Sequence, residues 1–459
     1  MNGMKLGNQV KKIFFTLFSQ GILSLVSIII GLGLPKFLSI EEYSRWQIYY
    51  FYVAYVNYLQ FGFNDGIILN LSGNDFTKLP WGMIKRATFN IVIYLLILSG
   101  IIWGISNGFP TADFQVIGLL VFSFIPTVLM CTFSAVLLAG NKTYEYNLFN
   151  LLIKIAFVAM MFVGIGLGII NAVFYVWADI LSKVLIVVVF FLYERKNMIC
   201  KEKTRNVGHF IKTNCTSGII VASTVLILGL LPMCGRVVLQ FRGEIIKYAQ
   251  YSFAISLLSI ILTFTNAIGT VAFPMLKRDS NALEGELYSQ LILLYDRLLV
   301  GCLWLFVVIK FVVYRFLPDY IDIMMYFPIM MAMCWPLGKI QSIIYPHYKL
   351  ARKEKTFLVV SLIFLAITFV ASILGYLSGE MLGLAVAALV CVLCYGCVLD
   401  IYYCKKIQEG KVKFAIWSWM MVITFVICGM SLEPVKFAVV YGVALILYYL
   451  ICIIISKKK

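Results

Sequence analysis

Charge is what this sequence lacks most. Only 13% of its 459 residues are Asp, Glu, Lys or Arg, against 62% hydrophobic, and the mean hydropathy is +0.95. A chain so short of charge cannot cover its apolar surface in water, which excludes a soluble globular protein and leaves a polytopic membrane protein. Histidine is nearly absent, with His209 and His347 alone. That removes most of the general-base and metal-ligand chemistry available near neutral pH. The string Gly104-Ile105-Ser106-Asn107-Gly108 has the spacing of a nucleophile elbow but follows an apolar helical run instead of a strand, so it is a chance match and no catalytic residue is assigned. Long polar segments are missing too, which counts against an integral-membrane glycosyltransferase or polysaccharide polymerase, since either needs a sizeable outer loop carrying acids or histidines. Acidic residues are scarce relative to basic ones, 21 against 38, for a net charge of +17. In a soluble chain that excess would point to nucleic acid; here no nucleic-acid motif interrupts the apolar runs, and basic loops on the cytoplasmic side account for it.

What is present is a series of apolar runs, each near the roughly 20 residues a helix needs to cross a bilayer. Fourteen can be counted: 13–34, 46–70, 84–106, 114–139, 144–168, 171–193, 213–235, 247–275, 287–314, 321–348, 356–378, 381–404, 414–431 and 434–455. Their connections alternate. One set is basic, including Lys78/Lys85/Arg86, Lys142, 195–212, 349–355, 405–413 and 457–459; the other is short and poor in Lys and Arg. The alternation places both termini in the cytoplasm. One connection breaks the rule, the one with Arg236, Arg242 and Lys247. The first run is too long for a signal peptide and lacks a small-x-small cleavage site, so it is read as a retained helix. The twelve cysteines lie almost wholly within the runs, where small residues ease helix packing; Cys391, Cys394 and Cys397 are read that way, and no metal site is assigned.

The chain also repeats itself. Gly21 precedes Pro35 by the interval that separates Gly218 from Pro232, and a Tyr-rich run follows each proline. Internal repeats of this kind build many secondary transporters, with the substrate between them. The long basic connection at 195–212 divides the halves: an N-terminal lobe of helices one to six at 1–200, a C-terminal lobe of helices seven to twelve at 201–405, and an appended helix pair at 406–459.

Three stretches carry a family resemblance. Pro35-Lys36-Phe37-Leu38-Ser39-Ile40-Glu41-Glu42-Tyr43-Ser44 resembles the R-x-L-G-x-x-E-(F/Y)-G turn of bacterial polysaccharide flippases of the Wzx type, with Lys36 and Ser44 where that family often has Arg and Gly. Phe61-Gly62-Phe63-Asn64 resembles the family's D-x-G end of helix two, and Leu137-Leu138-Ala139-Gly140-Asn141-Lys142 its exit from helix four; Ala351-Arg352-Lys353-Glu354-Lys355 is a weaker second-half copy of the latter. The resemblance covers about the first twelve helices. It implies an all-α, MATE-like membrane fold: two pseudo-symmetric six-helix lobes plus two extra C-terminal helices, about fourteen in all, in the bacterial cytoplasmic (inner) membrane. It implies translocation of a polyprenyl-diphosphate-linked oligosaccharide for surface polysaccharide (O-antigen, lipopolysaccharide, capsule) by alternating access, with a polysaccharide polymerase and export proteins as partners alongside membrane lipids. No cofactor is implied, and coupling to a Na+ or H+ gradient is left open. A MATE-like multidrug or cation antiporter is the rival of the same fold.

Ionisable groups within the runs mark candidate site residues, since each is costly in hydrocarbon and faces a cavity or a partner. The fifth run carries Thr143, Asn147, Asn150 and Lys154 close to one helical face. Asp179 and Lys183 in the sixth are four apart and face one another. The second run shows a looser face of Asn57, Gln60 and Asn64, with Arg45 at its start and Asp65 at its end; the eighth has Ser259, Thr263 and Asn266; the ninth and tenth hold Arg297 and Lys339. Under the resemblance, Lys154, Lys183, Arg297, Lys339 and Arg45 are cationic groups for a diphosphate, the amides and hydroxyls meet the glycan, and Asp65 and Asp179 are candidates for ion coupling. For the eighth run, helix-to-helix hydrogen bonding is an equal alternative; for Asp179–Lys183 a self-satisfied pair with no ligand is the favoured reading, and Arg45 can be an anchor at the outer surface. The unpaired cavity charges are mostly basic, which favours an anionic substrate over a cationic drug. The topology has a direct test. On a cysteine-free background, a cysteine at Asn171 is expected to react with an impermeant thiol reagent added outside, and one at Lys459 is not; labelling of Lys459 from outside overturns the fourteen-segment count.

Overall fold

The computed structural model describes residues 2–107, 112–195, 206–276, 285–407 and 416–457, and every regular element among them is helical. In chain order these are α1 (Asn2–Phe37), α2 (Ile40–Val53), a 3-10 turn (Val56–Gln60), α3 (Phe63–Leu71), α4 (Trp81–Asn107), α5 (Ala112–Ala139), α6 (Thr143–Gly166), α7 (Ala172–Tyr193), α8 (Val207–Leu230), α9 (Cys234–Phe241), α10 (Ile245–Leu276), α11 (Gly285–Cys302) and α12 (Phe306–Phe316). There follow α13 (Phe327–Ala332), α14 (Cys334–Lys339), a π-helical turn (Ile340–Ile344), α15 (Tyr345–Leu350), α16 (Glu354–Tyr402), α17 (Ile416–Ser431) and α18 (Pro434–Lys457). Among the described residues, ten helical spans are long and apolar enough to cross a membrane, and Gly21–Phe37 and Trp417–Ser431 are shorter apolar helices. This count differs from fourteen for local reasons. The helix α16 is two apolar stretches joined at Gly379 and Glu380, whose backbone is non-helical, and the second apolar run is broken. The chain divides into two compact units, Met1–Leu226 and Ile227–Lys459, with the division inside α8.

In the first unit, the run expected as one helix over 46–70 is interrupted. α2 stops at Val53, a 3-10 turn follows, and Phe61 and Gly62 both take positive φ, 52° and 78°, before α3 begins. The reason is a close crossing with α8. A Cβ on Gly62 would lie 2.6 Å from the Gly218 backbone, one on Gly218 would fall on the Gly62 carbonyl, and one on Gly66 on the Asn214 carbonyl. Small residues four apart let helix backbones touch, so Gly62-x-x-x-Gly66 and Gly218 form one contact. Gly21, the other member of the sequence repeat, has no atom of the described residues within 4 Å of the place its Cβ would occupy. The paired prolines differ as well: Pro35 lies inside the last turn of α1, while Pro232 sits in a 3-10 turn, Leu231–Met233, that leads on into α9.

The helix-four exit and its second-half copy share one backbone hydrogen-bonding scheme. Gly140 N–H donates to Val136, Asn141 to Leu138 and Lys142 to Leu137; in the same order Ala351 donates to His347, Arg352 to Lys349 and Lys353 to Tyr348. Asn141 and Arg352 take φ of 60° and 53°. Both stretches are therefore left-handed helix caps of the Schellman kind, which satisfy the last free carbonyls of a helix. Lys142 then pairs with Glu194 at 2.8 Å and lies 3.8 Å over the Phe76 ring.

A second correspondence joins the start of one helix to the hairpin of two others in each unit. Ser39 caps α2 by accepting from Glu42 N–H at 3.3 Å. Glu42 pairs with Arg45, and its other oxygen accepts the Ala172 N–H at 2.6 Å, where it caps α7 after the 167–171 turn. In the second unit Glu244, just ahead of α10, accepts from Tyr376 at 2.9 Å, and Lys247, three residues on, reaches Glu380 in the bend of α16 at 3.0 Å. This also accounts for the connection that broke the basic-loop rule: Lys247 is ion-paired, Arg236 is buried and donates to the Ser252 carbonyl at 3.0 Å, and Arg242 stacks on Tyr376. The Gly218 crossing predicts an asymmetry between equivalent positions. Gly218→Val is expected to destabilise the purified protein by about 1–3 kcal/mol, the usual cost of overpacking, and to lower its membrane abundance. Gly21→Val is expected to leave the melting curve unchanged; equal effects would sink the assignment.

Candidate functional site

Helix breaks at membrane depth expose backbone polar groups, so they persist only inside protein or beside a hydrated cavity. Each unit has such irregular backbone, and each has polar side chains gathered at or beside it.

In the first unit, the interruption of residues 54–62 brings three predicted amides together. Asn57 Oδ1 accepts from Gln60 Nε2 at 2.8 Å and from Asn64 Nδ2 at 3.0 Å. Thr132 of α5 donates to Gln60 Oε1 at 3.4 Å, and the Cys215 thiol of α8 lies 3.7 Å from the Gln60 carbonyl. Asn64 Oδ1 is buried with no protein donor among the described residues, and Asn147 Nδ2 on α6 is buried with no acceptor. Buried amide atoms left open in this way are costly unless water or a ligand meets them. Asp65 lies in the first turn of α3. Asp179 Oδ2 accepts from both Lys183, at 2.6 Å, and Tyr49, at 2.5 Å. Lys154 donates to Ser27 of α1 at 2.6 Å and so does not meet Asp179, while Asn150 donates to the Tyr146 carbonyl at 2.9 Å. Arg45 is taken by Glu42.

In the second unit, Lys339 ends α14 directly before the π-helical turn, an irregularity common at functional sites. Its ammonium pairs with Asp296 of α11 at 2.6 Å and lies 4.5 Å from the Trp335 ring centroid. The Asp296 side chain is 1% exposed, so this charge is held inside protein and not at a surface. Tyr288 donates to Asp400 of α16 at 2.7 Å. Asp296, Lys339, Asp400, Cys397, Trp335 and Trp419 line one cavity of about 30 Å³, room for about two waters. The two tryptophans stand edge to face, 4.8 Å apart, so a residue of the appended helix pair closes this chamber. Arg297, next to Asp296, turns elsewhere on α11: its carbonyl accepts from Tyr449 at 2.9 Å, and its guanidinium has no hydrogen-bond or ion-pair partner among the described residues.

The eighth run's hydroxyls bond to their own helix. Ser259 donates to the Ile255 carbonyl and Thr263 to the Ser259 carbonyl, both at 2.8 Å; the Asn266 side chain lies outside the described residues. Lys310 sits near a helix end, where sequence position suggests reaching for the headgroups. Instead it is 4% exposed and donates to the Gly429 and Leu432 carbonyls at 3.3 and 2.6 Å, capping the end of α17. Sequence reasoning missed the partners Asp296, Asp400, Tyr49 and Glu42. Only Glu42 carried a local signal, the Ser39-x-x-Glu42 spacing of a capping box.

Several solved structures share this fold. The lipid II flippase MurJ in an inward closed conformation superposes with a TM-score of 0.70 at 14% identity, covering 97% of this chain and 98% of that one. A mutant of the Vibrio cholerae MATE transporter VcmN gives 0.55 at 14% identity over 88% of this chain and 98% of that one. An inward-facing multidrug resistance MATE transporter of the MOP superfamily gives 0.55 at 14% identity, over 90% and 94%. No family model matches the sequence, and no curated protein matches it. The chain is thus a multi-pass helical membrane protein with the fold shared by MurJ and the MATE transporters.

The Lys339–Asp296 pair has a test in stability. Removing one partner of a buried pair leaves a charge uncompensated and costs about 3–5 kcal/mol, whereas apolar replacement of both is often close to neutral. Lys339→Met and Asp296→Leu are each expected to lower the unfolding midpoint of detergent-purified protein sharply, and the double variant to recover most of the loss. Additive losses would show that the two groups do not depend on each other.

Proposed function

We propose that this protein is a flippase for a polyprenyl-diphosphate-linked oligosaccharide, moving it from the cytoplasmic to the outer leaflet of the bacterial inner membrane for surface polysaccharide synthesis. The observation that carries this reading is the end-to-end likeness of fold to a lipid II flippase, 97% of this chain on 98% of that one. The proposal includes fourteen membrane segments in two six-helix lobes with an appended pair, both termini in the cytoplasm, no covalent chemistry, and function beside a polysaccharide polymerase and export proteins. Alternating access exposes the polar interior to each side in turn.

The residues divide by how far their charge is already offset. Lys339, Lys183 and Arg45 each have a carboxylate partner, and Lys154 has a hydroxyl. Arg297 has none among the described residues, so in this reading it is the first choice for a diphosphate, with a planar fork suited to two phosphate oxygens. The amides Asn57, Gln60, Asn64, Asn147 and Asn150 are the glycan-facing set, with the open atoms of Asn64 and Asn147 as sites for sugar hydroxyls or water. Asp65 and Asp179 remain the candidates for ion coupling.

The test is complementation of a strain that lacks its polysaccharide flippase. The protein is expected to restore surface polysaccharide and clear the accumulated lipid-linked unit. Arg297→Ala should reduce export about ten-fold at unchanged membrane abundance, the scale of a lost charged hydrogen bond, and Arg297→Lys should retain part of it. If Lys154→Ala and Arg297→Ala both export normally at normal abundance, the cationic-cavity argument fails; Lys339 is tested through the double variant with Asp296→Leu, which is expected to restore abundance. Restored drug resistance without polysaccharide would favour the MATE-like antiporter instead.

A further inference from the structure

The second unit carries a groove that plays no part in the polar chambers. It measures about 290 Å³ and is lined by Val238, Phe241, Arg242, Phe369, Ile373, Tyr376 and Leu377, from the end of α9 and the first stretch of α16. That volume is close to the lower bound of about 300 Å³ for small-molecule pockets. Five of the seven lining residues are apolar, and Phe241 and Leu377 are 84% and 61% exposed. The protein therefore leaves this surface to whatever surrounds a membrane helix at that position.

One end of the groove is built for charge. Tyr376 is buried and its hydroxyl is fixed from two sides, donating to Glu244 at 2.9 Å and accepting from Lys247 at 3.3 Å. Its ring face is thereby set in place, and the Arg242 guanidinium lies 5.5 Å from the ring centroid, over that face. The neighbouring cations are spent: Arg236 on a backbone carbonyl, Lys247 on Glu244 and Glu380. Arg242 has no carboxylate among the described residues. A guanidinium oriented by an aromatic ring, open to an anion and set at the mouth of an apolar groove, matches a phospholipid in both of its parts. The phosphate takes a charge-assisted contact from Arg242, and one acyl chain lies along Phe369, Ile373 and Leu377. Basic pockets between membrane helices bind anionic headgroups on the same physical grounds.

We infer that this groove is a binding site for one anionic glycerophospholipid, distinct from the transported substrate and independent of its identity. A singly charged headgroup such as phosphatidylglycerol satisfies a single guanidinium. A zwitterionic lipid carries its own cation and competes with Arg242 for the phosphate.

The test is native mass spectrometry of the full-length protein purified in detergent and titrated with phosphatidylglycerol or phosphatidylcholine. Wild-type protein should take up one phosphatidylglycerol in preference to phosphatidylcholine. Arg242→Gln should weaken that first binding step about five-fold, in keeping with one cation at a membrane surface, and remove the preference. Arg242→Lys should keep part of it. Ile373→Trp and Leu377→Trp, which fill the groove from an exposed face and leave the charge in place, should each reduce uptake of both lipids. The inference is overturned if Arg242→Gln binds both lipids as the wild type does, or if the two tryptophan variants bind phosphatidylglycerol undiminished. Equal wild-type affinity for the two lipids would overturn the role of Arg242 as well.

Discussion

In hydrocarbon no solvent is present to take up a hydrogen bond, so each polar group must find its partner within the protein or in an enclosed cavity. Much of this structure follows from that constraint. The capped exits at Asn141 and Arg352 satisfy helix-end carbonyls without water. Glu42 satisfies the first N–H of α7 while holding Arg45. The hydroxyls of Ser259 and Thr263 fold back on their own helix. What distinguishes the amide cluster of the first unit is that the constraint is met there only in part. Asn64 keeps one buried amide atom without a protein partner among the described residues, just after the interrupted stretch, and so does Asn147 on α6.

Energetically, the clusters are of different kinds. Lys339 and Asp296 form a pair whose attraction must repay the desolvation of both charges, so it contributes position more than stability. Its surroundings suit that role: the Trp335 ring lies against the ammonium and Trp419 stands against Trp335. The amide cluster in the first unit is neutral. Asn57 Oδ1 takes two donors at once, each a modest neutral hydrogen bond. One cluster thus holds opposite charges and the other neutral amides.

The apolar runs were legible in the sequence because hydropathy is a sum over a window, and a sum survives local irregularity. The same property hides a break. The run 46–70 sums as one segment, yet the close approach of Gly218 to Gly62 and the positive φ of Phe61 divide it. The site residues were legible as types and not as pairs. Asp179 and Lys183 are four apart, and helical geometry alone brings them together at 2.6 Å. Lys339 and Asp296 lie on different helices, as do Lys154 and Ser27, and no periodicity within a helix identifies a partner on another. The Schellman caps stand between these cases. Their residues recur in both halves, but the common hydrogen-bonding scheme shows only in the backbone.

The burial of Lys310 bears on how the last two helices can be viewed. They look like an appendix, since the first half of the chain has nothing that corresponds to them. But the Lys310 ammonium rests on the final carbonyls of α17, Tyr441 donates to the Val300 carbonyl at 3.0 Å, and the Trp304 indole reaches the Ala438 carbonyl at 3.4 Å. Cut away from these two helices, Lys310 would lose the Gly429 and Leu432 carbonyls that now hold its charge inside protein, so the terminal pair is part of the solvation of the second unit and not an ornament on it.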